Sequence, residues 1–354
     1  MNATERSRNA GADSAAVPSL RWRLRPADPA DFEAIAELRN ACRRAEGMPA
    51  TETAAGVADS WAEPGCVLAR DCIVAERSDG KVIGCDEVFD RGAHRVYDCW
   101  GGDVLPEHRG YGIAGAMLAW AEEQVRIRVR EHLGEEAFRG EVRLQTTKPE
   151  KAPGFVIRPL ERAGFRPLRS FVMMCAELPD VSPEADWPED IRLETLCAED
   201  PEHRRLFWQG RVDSFADHWG AVPPDETLGL DRFRHEVTGP DFDPTLMWAA
   251  RVEGGGVAGI CFCRGSFRGD DKTGFVGHLG TAPAFRRRGL ARAFLRHALA
   301  ELKRRGRTSV ELGVDADHPT GAQEMYEREG FRERGRLTAW GKDLRATAPE
   351  EGAR

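Results

Sequence analysis

The sequence predicts an α+β protein made of two copies of one fold, each a mixed central sheet flanked by helices. The chain has 354 residues, which at roughly 100–200 residues per domain predicts two domains. Two short motifs occur twice in the same order, and each copy lies in the same predicted succession of strands and helices. Tandem domains of one fold account for both observations.

The first repeated motif is a glycine turn, and the second follows it further along each half. The four residues shared by the turns are Pro106, Arg109, Gly112 and Ala114 in the first half and Pro283, Arg286, Gly289 and Ala291 in the second. The second motif is Leu160-Glu-Arg-Ala-Gly-Phe165, which recurs as Tyr326-Glu-Arg-Glu-Gly-Phe331. The two motifs lie eleven residues further apart in the first half. This difference predicts an insertion in the charged stretch Arg126–Gly140.

Each half shows one order of elements. A strand and amphipathic helices come first, then a β-hairpin, a strand, the glycine turn, a long helix, another strand, a short helix and a final strand. Asp31 is predicted to cap the first helix. The strand before the glycine turn is predicted as one segment, at Arg95–Val104 and at Phe275–Thr281. The first strands and hairpins are predicted at Trp22–Arg25 and Ile191–Thr195, at Cys72–Glu76 with Val82–Val88, and at Leu246–Val252 with Val257–Cys263.

The predicted domain boundaries follow changes in composition. Residues 1–20 are rich in Ser, Ala and Asn and lack an apolar stretch, which predicts a disordered tail rather than a signal peptide. Residues 179–190 combine Pro with acidic residues that neither a helix nor a central strand tolerates, which predicts a linker. The first domain is therefore predicted at 21–178, the second at 191–346 and a C-terminal tail at 347–354.

The charge and the apolar runs limit the expected partners. A formal net charge of −8 and a pI of about 5.7 argue against a nucleic-acid partner. The longest apolar run without a charge, Ile113–Ala121, has nine residues, whereas a membrane span needs about 20, so no membrane association is expected. We expect a cytoplasmic monomer or homodimer.

The cysteines and histidines do not predict a metal centre. The nine cysteines are scattered without a Cys-x-x-Cys pair, which predicts small buried thiols in a reducing compartment. Asp217, His218 and His235 lack the spacing of a ligand set. No metal is therefore expected.

Each glycine turn is a candidate anion site, because the first backbone N–H groups of a helix have no partner within it and carry the positive end of its dipole. Gly289 lets the backbone approach a ligand oxygen, and Ala291 leaves the next turn unobstructed. Arg286, Arg287 and Arg288 add charge. An ordinary capped turn is the alternative, but two copies favour a pyrophosphate site. The turn of the second half contains neither Gly-x-Gly-x-x-Gly nor Gly-Lys-Ser/Thr.

Together these residues resemble the GNAT N-acetyltransferase superfamily. The segments that carry the resemblance are Pro283 with Arg286–Ala291, Val314–Ala322 with Met325–Phe331, and, in the first half, Arg109–Ala114 and Leu160–Phe165. The resemblance covers nearly the whole chain after residue 20, and the tandem arrangement is similar to that of the mycothiol synthase group. It implies transfer of an acetyl group from acetyl-CoA to the amine of a small molecule or peptide, by direct attack and without a covalent enzyme intermediate.

The resemblance also implies roles for particular residues. The turn amides would bind the pyrophosphate of CoA, in the second half at Arg286, Arg287, Arg288, Gly289, Leu290 and Ala291 and in the first at Arg109, Gly110, Gly112 and Ala114. Leu279, Gly280 and Thr281 would pair with the pantetheine arm and the thioester carbonyl. His318 stands where the family usually has an Asn that contacts this arm. Tyr326 stands where the family has the acid that protonates the departing thiolate.

The two halves differ at this acid. Leu160 occupies the position of Tyr326 and has no proton to give, so the first half is expected not to turn over. A CoA-binding role and a structural role are both compatible with its glycine turn. The second half is therefore expected to be the catalytic one.

The base and the acceptor pocket are less sharply defined by the sequence. His278 is a candidate base, since a neutral imidazole can take a proton from an ammonium near pH 7, although relatives have a Glu on this strand. Glu311 and Asp315 are alternatives. Asp217, His218 and Trp219 are candidates for binding a cationic amine, and a solvated loop with one core Trp is the other interpretation.

Two further functions are compatible with the sequence. One is the acetylation of a cysteinyl-sugar amine, as in mycothiol synthases. The other is a non-catalytic CoA-binding or interaction protein, since fold alone does not establish activity.

Overall fold

The computed structural model describes residues 21–178, 185–222, 225–239, 242–318 and 321–345. Its two halves share one order of main elements, as predicted, and the first half has one additional short helix and one additional two-residue strand. The first half contains β1 (Trp22–Pro26), α1 (Phe32–Ala45), α2 (Ala54–Trp61), α3 (Leu68–Asp71), β2 (Cys72–Arg77), β3 (Val82–Asp90), β4 (Val96–Cys99), β5 (Asp103–Val104), α4 (Ile113–Leu133), β6 (Arg143–Pro149), α5 (Gly154–Arg162) and β7 (Arg166–Glu177). The second half contains β8 (Ile191–Thr195), α6 (Pro201–Phe215), α7 (Glu226–Thr238), β9 (Met247–Val252), β10 (Val257–Arg264), β11 (Thr273–Thr281), α8 (Leu290–Arg304), β12 (Ser309–Asp315), α9 (Ala322–Arg328) and β13 (Arg332–Asp343).

The described strands form one continuous sheet in which the halves exchange their last strands. The order is β1-β2-β3-β4-β6-β13-β7-β12-β11-β10-β9-β8, with β5 also paired to β3. Strand β13 of the second half lies between β6 and β7, and β7 pairs with β12. The pairs β4–β6 and β11–β12 are parallel and the others are antiparallel, which confirms the predicted mixed sheet. The predicted tails and the first half of the predicted linker at residues 179–190 lie outside the described residues, and the described strands of the two halves interleave in space.

Helices cover both faces of the second half of the sheet. Cys261 and Cys263 of β10 face the core beneath α8, where Leu290, Phe294 and Leu302 are buried. The alternate residues Ile260 and Phe262 face the core beneath α6 and α7. Since side chains of a strand alternate between faces, these two cores lie on opposite sides of the sheet.

The predicted insertion is confirmed as an extension of the helix after the first glycine turn. Helix α4 has 21 residues, whereas α8 has 15, and a 3-10 turn at Glu135–Arg139 follows α4. The extension carries Arg128, whose guanidinium forms a buried ion pair with Asp71 at the end of α3. The longer helix is thereby tied to the short helix α3, which directly precedes β2.

The structure corrects two predictions about local elements. Asp31 does not cap α1: its carboxylate accepts from Arg25 and from the Asp28 N–H, and Asp28 caps a preceding 3-10 turn. The segment Arg95–Val104 is not one strand, because it is interrupted between β4 and β5 by Gly101 and Gly102, which have φ of +85° and +79°.

The predictions for the cysteines and for membrane spans have different outcomes. The expectation of uniformly buried thiols is wrong for Cys197, which is exposed in the turn before α6, while Cys66 and Cys175 are partly exposed. Among the described helices, none has the length and apolar character that crossing a bilayer requires.

Candidate functional site

The second half contains a slot between two parallel strands. Strand β11 pairs with β12 only from Thr273 to Val276. Its remaining residues pair with β10, and Gly277 is a bulge, because Val276 and His278 face adjacent residues of β10. The bulge bends β11 away from β12. Leu279, Gly280 and Thr281, the residues implied to hold the pantetheine arm, lie at the edge of this slot.

The first half opens in the same way, and there the slot contains a cavity. Strand β4 pairs with β6 from Val96 to Asp98, after which Trp100, Gly101 and Gly102 leave the ladder. A cavity of about 630 Å³ lies at this point. It is lined by the slot, the glycine turn, the start of α5 and four cations, which are Arg109, Lys148, Lys151 and Arg162. No sequence motif predicts this cavity.

The two glycine turns have the geometry of an anion cradle. Gly112 and Gly289 have φ of +81° and +82° and precede α4 and α8 without a side-chain cap. The first helix-closing bonds are donated by Ala116 and Ala293, so the three preceding N–H groups of each helix have no acceptor within it. A Cβ at either glycine would meet nothing within 4 Å in the described part of the chain. These residues fit the pyrophosphate group that the sequence predicts.

The arginine of each turn makes the same contacts in both halves. Arg109 Nε donates to the carbonyl of Val104 at 3.2 Å, and Arg286 Nε donates to that of Thr281 at 3.1 Å. Each guanidinium also pairs with a carboxylate near the end of the half's first helix: Glu46 at 3.3 Å, and Asp217 at 2.5 and 2.7 Å. A carboxylate that pairs with the turn arginine is thus a third feature shared by the two halves. Comparison of the two sequence halves does not find it, because the number of residues between the acid and the arginine differs.

The other arginines of the second turn have different roles. Arg287 has φ of +66°, where the first half has Gly110 at +88°. Arg288 pairs with Asp190 at 2.5 Å. The Leu290 side chain is buried in the core, so only its backbone faces the turn. Two of the three predicted cations are therefore paired with carboxylates.

The three candidate acceptor residues contact different parts of the structure. The Arg286 guanidinium holds the pKa of Asp217 well below its usual range, so this carboxylate is ionised and paired. His218 packs on Phe215 and stacks on His318 at 4.4 Å. Trp219 packs against Phe171 of the first half at 6.1 Å. The segment thus joins the glycine turn to β7, and its role in binding an amine stays a prediction.

One cluster of metal-ligating side chains differs from the set that the sequence suggested. His235 lies apart, with Nε2 3.1 Å from the carbonyl oxygen of Asp59. Instead, ligand atoms of Asp217, His218 and His318 lie within 4.8 Å of one another. Since both oxygens of Asp217 already accept from Arg286, a cation would have to compete with that ion pair.

His278 lies on β11 among aromatic rings and cations. The ring centroids of Phe215 and Phe262 are 5.7 and 5.8 Å away. Burial and the charges of Arg211 and Arg264 lower the pKa of His278 to about 4, against the opposing effect of Glu236. The imidazole is therefore neutral at physiological pH but is a weak base.

The alternative bases are engaged with arginines. Glu311 pairs with Arg334, and Asp315 accepts from Arg169 at 2.7 and 2.9 Å. None of the three candidates is therefore both free of an arginine partner and strongly basic, so the general base stays a prediction.

The lowered pKa of His278 predicts a pH-dependent loss of stability. Because the folded-state pKa is about 4 and the ordinary value is 6.5, the unfolded chain binds more protons between these values. We expect the free energy of unfolding to fall as the pH drops through this window, by roughly 2 kcal/mol for a partly exposed ring. Urea unfolding of the wild type and His278→Gln at several pH values measures this, and an equal pH dependence of the two would contradict it.

Tyr326 lies on α9 with its ring in the core of the second half. Its side chain is 6% exposed, and its ring centroid lies 5.9 Å from that of Phe331. Burial, with a smaller effect from the Cys261 thiol of β10, raises the pKa of Tyr326 well above its usual value. The phenol therefore keeps its proton at neutral pH. In the first half the fully buried Leu160 takes this position.

Comparison with known proteins links this architecture to acetyltransferases. The acetyltransferase (GNAT) family model matches residues 200–331. The mycothiol acetyltransferase of Catenulispora acidiphila is 29% identical over 234 residues, which are 65% of this chain and 68% of that protein. The mycothiol acetyltransferase of Geodermatophilus obscurus is 27% identical over 325 residues, which are 88% of this chain and 94% of that protein.

Solved structures share the fold over almost the whole chain. A GCN5-related N-acetyltransferase from Sphaerobacter thermophilus matches with a TM-score of 0.70 and 26% identity, covering 92% of this chain and 97% of that one. A tandem GNAT protein from the clavulanic acid biosynthesis pathway matches with a TM-score of 0.66 and 18% identity, covering 93% of this chain and all of that one. The second likeness concerns the fold alone.

Proposed function

We propose that the chain is a tandem GNAT-type N-acetyltransferase whose second half transfers an acetyl group from acetyl-CoA to a primary amine by direct attack. The observation that carries this proposal is the difference between the halves at one position. Both halves have the slot and the glycine turn, but only the second has a phenol, that of Tyr326, where the first has Leu160.

Four groups of the second half would carry out the transfer. Turn amides at residues 286–291 hold the pyrophosphate, and the open edge of β11 holds the pantetheine arm. A backbone N–H in the stretch Leu279–Thr281 stabilises the oxyanion that forms when the amine attacks the thioester carbonyl. Tyr326 then gives its proton to the departing thiolate. Because His278 is a weak base, we propose that water carries the proton of the amine away, with His278 as a neutral acceptor along that route.

We propose that the first half also binds CoA, in its cavity. The cavity of about 630 Å³ adjoins the glycine turn and is lined by Arg109, Lys148, Lys151 and Arg162. These cations suit the phosphates of the cofactor, whose charge the acidic chain would otherwise repel. The proposed division into domains 21–178 and 191–346 assigns one cofactor site to each.

The acceptor is proposed as a small-molecule amine. The relatives named mycothiol acetyltransferase favour a cysteinyl-sugar amine, but β11 lacks the acidic residue expected there in that group. A compound with a primary amine and a different polar body is therefore an equal candidate. We place the reaction in the cytoplasm, with a monomer or homodimer as the active species.

Calorimetric titration with CoA tests the two proposed sites. The wild type should bind two molecules of CoA. Gly112→Val and Gly289→Val should each lose one site, because a β-branched residue is strained at positive φ and its side chain enters the cradle. The stoichiometry at saturation is the measurement. A single site that only one of the variants removes would contradict CoA binding in the other half.

Thiol release from acetyl-CoA across a panel of amines tests the activity itself. Gly289→Val should remove most of the release that the best amine supports, and Gly112→Val should leave most of it. The reverse result would place the main reaction in the first half. Thiol release from none of the amines, despite CoA binding, would favour a non-catalytic CoA-binding protein.

A further inference from the structure

Two ionisable groups, Lys148 and Asp86, lie at the slot of the first half. The function proposed above gives neither group a chemical role. Lys148 on β6 lines the cavity, and its Nζ donates to the carbonyl of Trp100 at 2.6 Å. Asp86 on β3 is 0% exposed, and its Oδ1 accepts from the N–H of Gly101 at 3.1 Å. Both groups therefore bind the segment Trp100–Gly102, which leaves the ladder and opens the slot. This segment is called the Gly101 bulge below.

Asp86 lacks a complete set of hydrogen-bond partners. Its Oδ1 also accepts from the N–H of Glu87 at 2.8 Å, but its Oδ2 is buried without a partner among the described residues. A buried carboxylate oxygen left unpaired is costly, so an explanation beyond packing is required. Burial raises the pKa of Asp86 to about 7, with Glu87 adding to the effect and Lys148 and the two amides opposing it.

The strand register shows what Asp86 corresponds to in the other half. Gly84 pairs with Val104 of the first half, and Gly259 pairs with Thr281 of the second. Two residues further along each strand lie Asp86 and Cys261. Cys261 is the thiol that influences the pKa of Tyr326. Asp86 thus stands, in the first half, beside the place where the second half has its phenol.

Lys148 lies beside Gly101, at the opening between β4 and β6. A Cβ built on Gly101 would lie 3.2 Å from Lys148 Cε and 3.3 Å from Thr146 Oγ1, so a side chain there would fill the space between β4 and β6. An ammonium has three donors, and the bond to the Trp100 carbonyl uses one of them. The others can face a group bound in the cavity.

From this arrangement we propose that the first half is a second, slower acyl-transfer site, in which Lys148 protonates the departing thiolate of an acyl-CoA and Asp86 positions Lys148 and the Gly101 peptide. The acceptor nitrogen forms its bond to the thioester carbon, the carbon–sulfur bond breaks, and Lys148 gives a proton to the sulfur. The proton released by the acylated nitrogen returns to Lys148 through solvent, so that thioester and amine become amide and thiol. This step replaces the expectation that Leu160 leaves the first half without a proton donor, and it rests on the CoA site proposed for the first half.

The proposal is tested by the thiol release that remains in Gly289→Val protein, in which the proposed CoA site of the second half is blocked. We expect measurable residual release, and we expect Lys148→Met to lower its kcat about tenfold or more. Lys151→Met is the matched control, because Lys151 lines the same cavity but lies away from the bulge contacts given above. It should raise the KM for acetyl-CoA with little change in kcat. Calorimetry with CoA checks that each variant keeps its first-half site.

Asp86→Asn tests the positioning role by a pH profile. The amide oxygen of Asn can still accept from Gly101, so folding is expected to be retained. The groups facing Asp86 are Lys148, Glu87 and the Cys99 thiol. With an aromatic amine that stays neutral over the range, the residual rate should rise through about pH 7, as Asp86 ionises and attracts Lys148. In Asp86→Asn this rise should be absent.

The outcomes separate this inference from the proposed function. Absence of residual release in Gly289→Val overturns it, and so does an equal, KM-only effect of Lys148→Met and Lys151→Met in that background. A Tyr326→Phe protein with the full wild-type rate contradicts the role of Tyr326 instead. In that case a loss of kcat in Lys148→Met would still support a reaction in the first half.

Discussion

Replacing Tyr326 with Phe is expected to lower the kcat of the main acetyl transfer by roughly 10²–10⁴-fold, the range that a positioned general acid contributes. The ring stays, so the packing against Phe331 is retained, and only the hydroxyl that would protonate the thiolate is lost. Because burial keeps the pKa of Tyr326 high, the wild-type phenol is protonated over the whole physiological range. Binding of acetyl-CoA, measured by calorimetry, should change little.

Tyr97→Phe is the matched control for this prediction. Tyr97 is a fully buried tyrosine of the first half, whose hydroxyl lies 3.4 Å from His94 Nδ1. Removing that hydroxyl tests the general cost of losing a buried phenol oxygen. We expect this variant to keep the kcat of the wild type. If Tyr326→Phe also kept the full rate with an active amine, the assignment of Tyr326 as the acid would be rejected.

Replacing Asp71 with Ala is expected to destabilise the protein by about 3–5 kcal/mol, the cost of removing one partner of a buried ion pair. Asp71 and Arg128 have side chains only 1% and 3% exposed. The Ala variant leaves the Arg128 guanidinium buried without its partner, and the Val67 N–H, which donates to Asp71 at 2.8 Å, loses its acceptor. Burial already lowers the pKa of Arg128 to about 10, which indicates how poorly its charge is solvated.

The measurement for Asp71→Ala is the free energy of unfolding from urea denaturation. The control is Glu136→Ala, which removes an ion pair with Arg139 in which both side chains are largely exposed. That change should cost about 0–1 kcal/mol, as is usual for surface pairs. A loss below about 1 kcal/mol for Asp71→Ala as well would show that the extension of α4 is not held by this pair.

The sequence by itself determined the features that depend on nearby residues. The glycine turns could be predicted because Gly112 and Gly289 come directly before an apolar helical pattern, and a glycine at positive φ is a local requirement. The insertion was predicted from the unequal spacing of two motifs, and it forms the extra turns of α4. The replacement of a tyrosine by a leucine in the first half could also be predicted from the sequence, because Leu160 and Tyr326 both precede the same Glu-Arg motif.

The tertiary structure alone decided which distant residues meet. The exchange of β7 and β13 depends on which strand edges find each other, and hydrogen-bonded backbone edges carry little sequence information. The pairs Arg109–Glu46 and Arg286–Asp217, and the approach of Lys148 and Asp86 to the Gly101 bulge, depend in turn on strand register. Local pattern therefore determined the two copies of the fold and their anion cradles. The pairing of strands far apart in sequence decided which charged groups surround each slot.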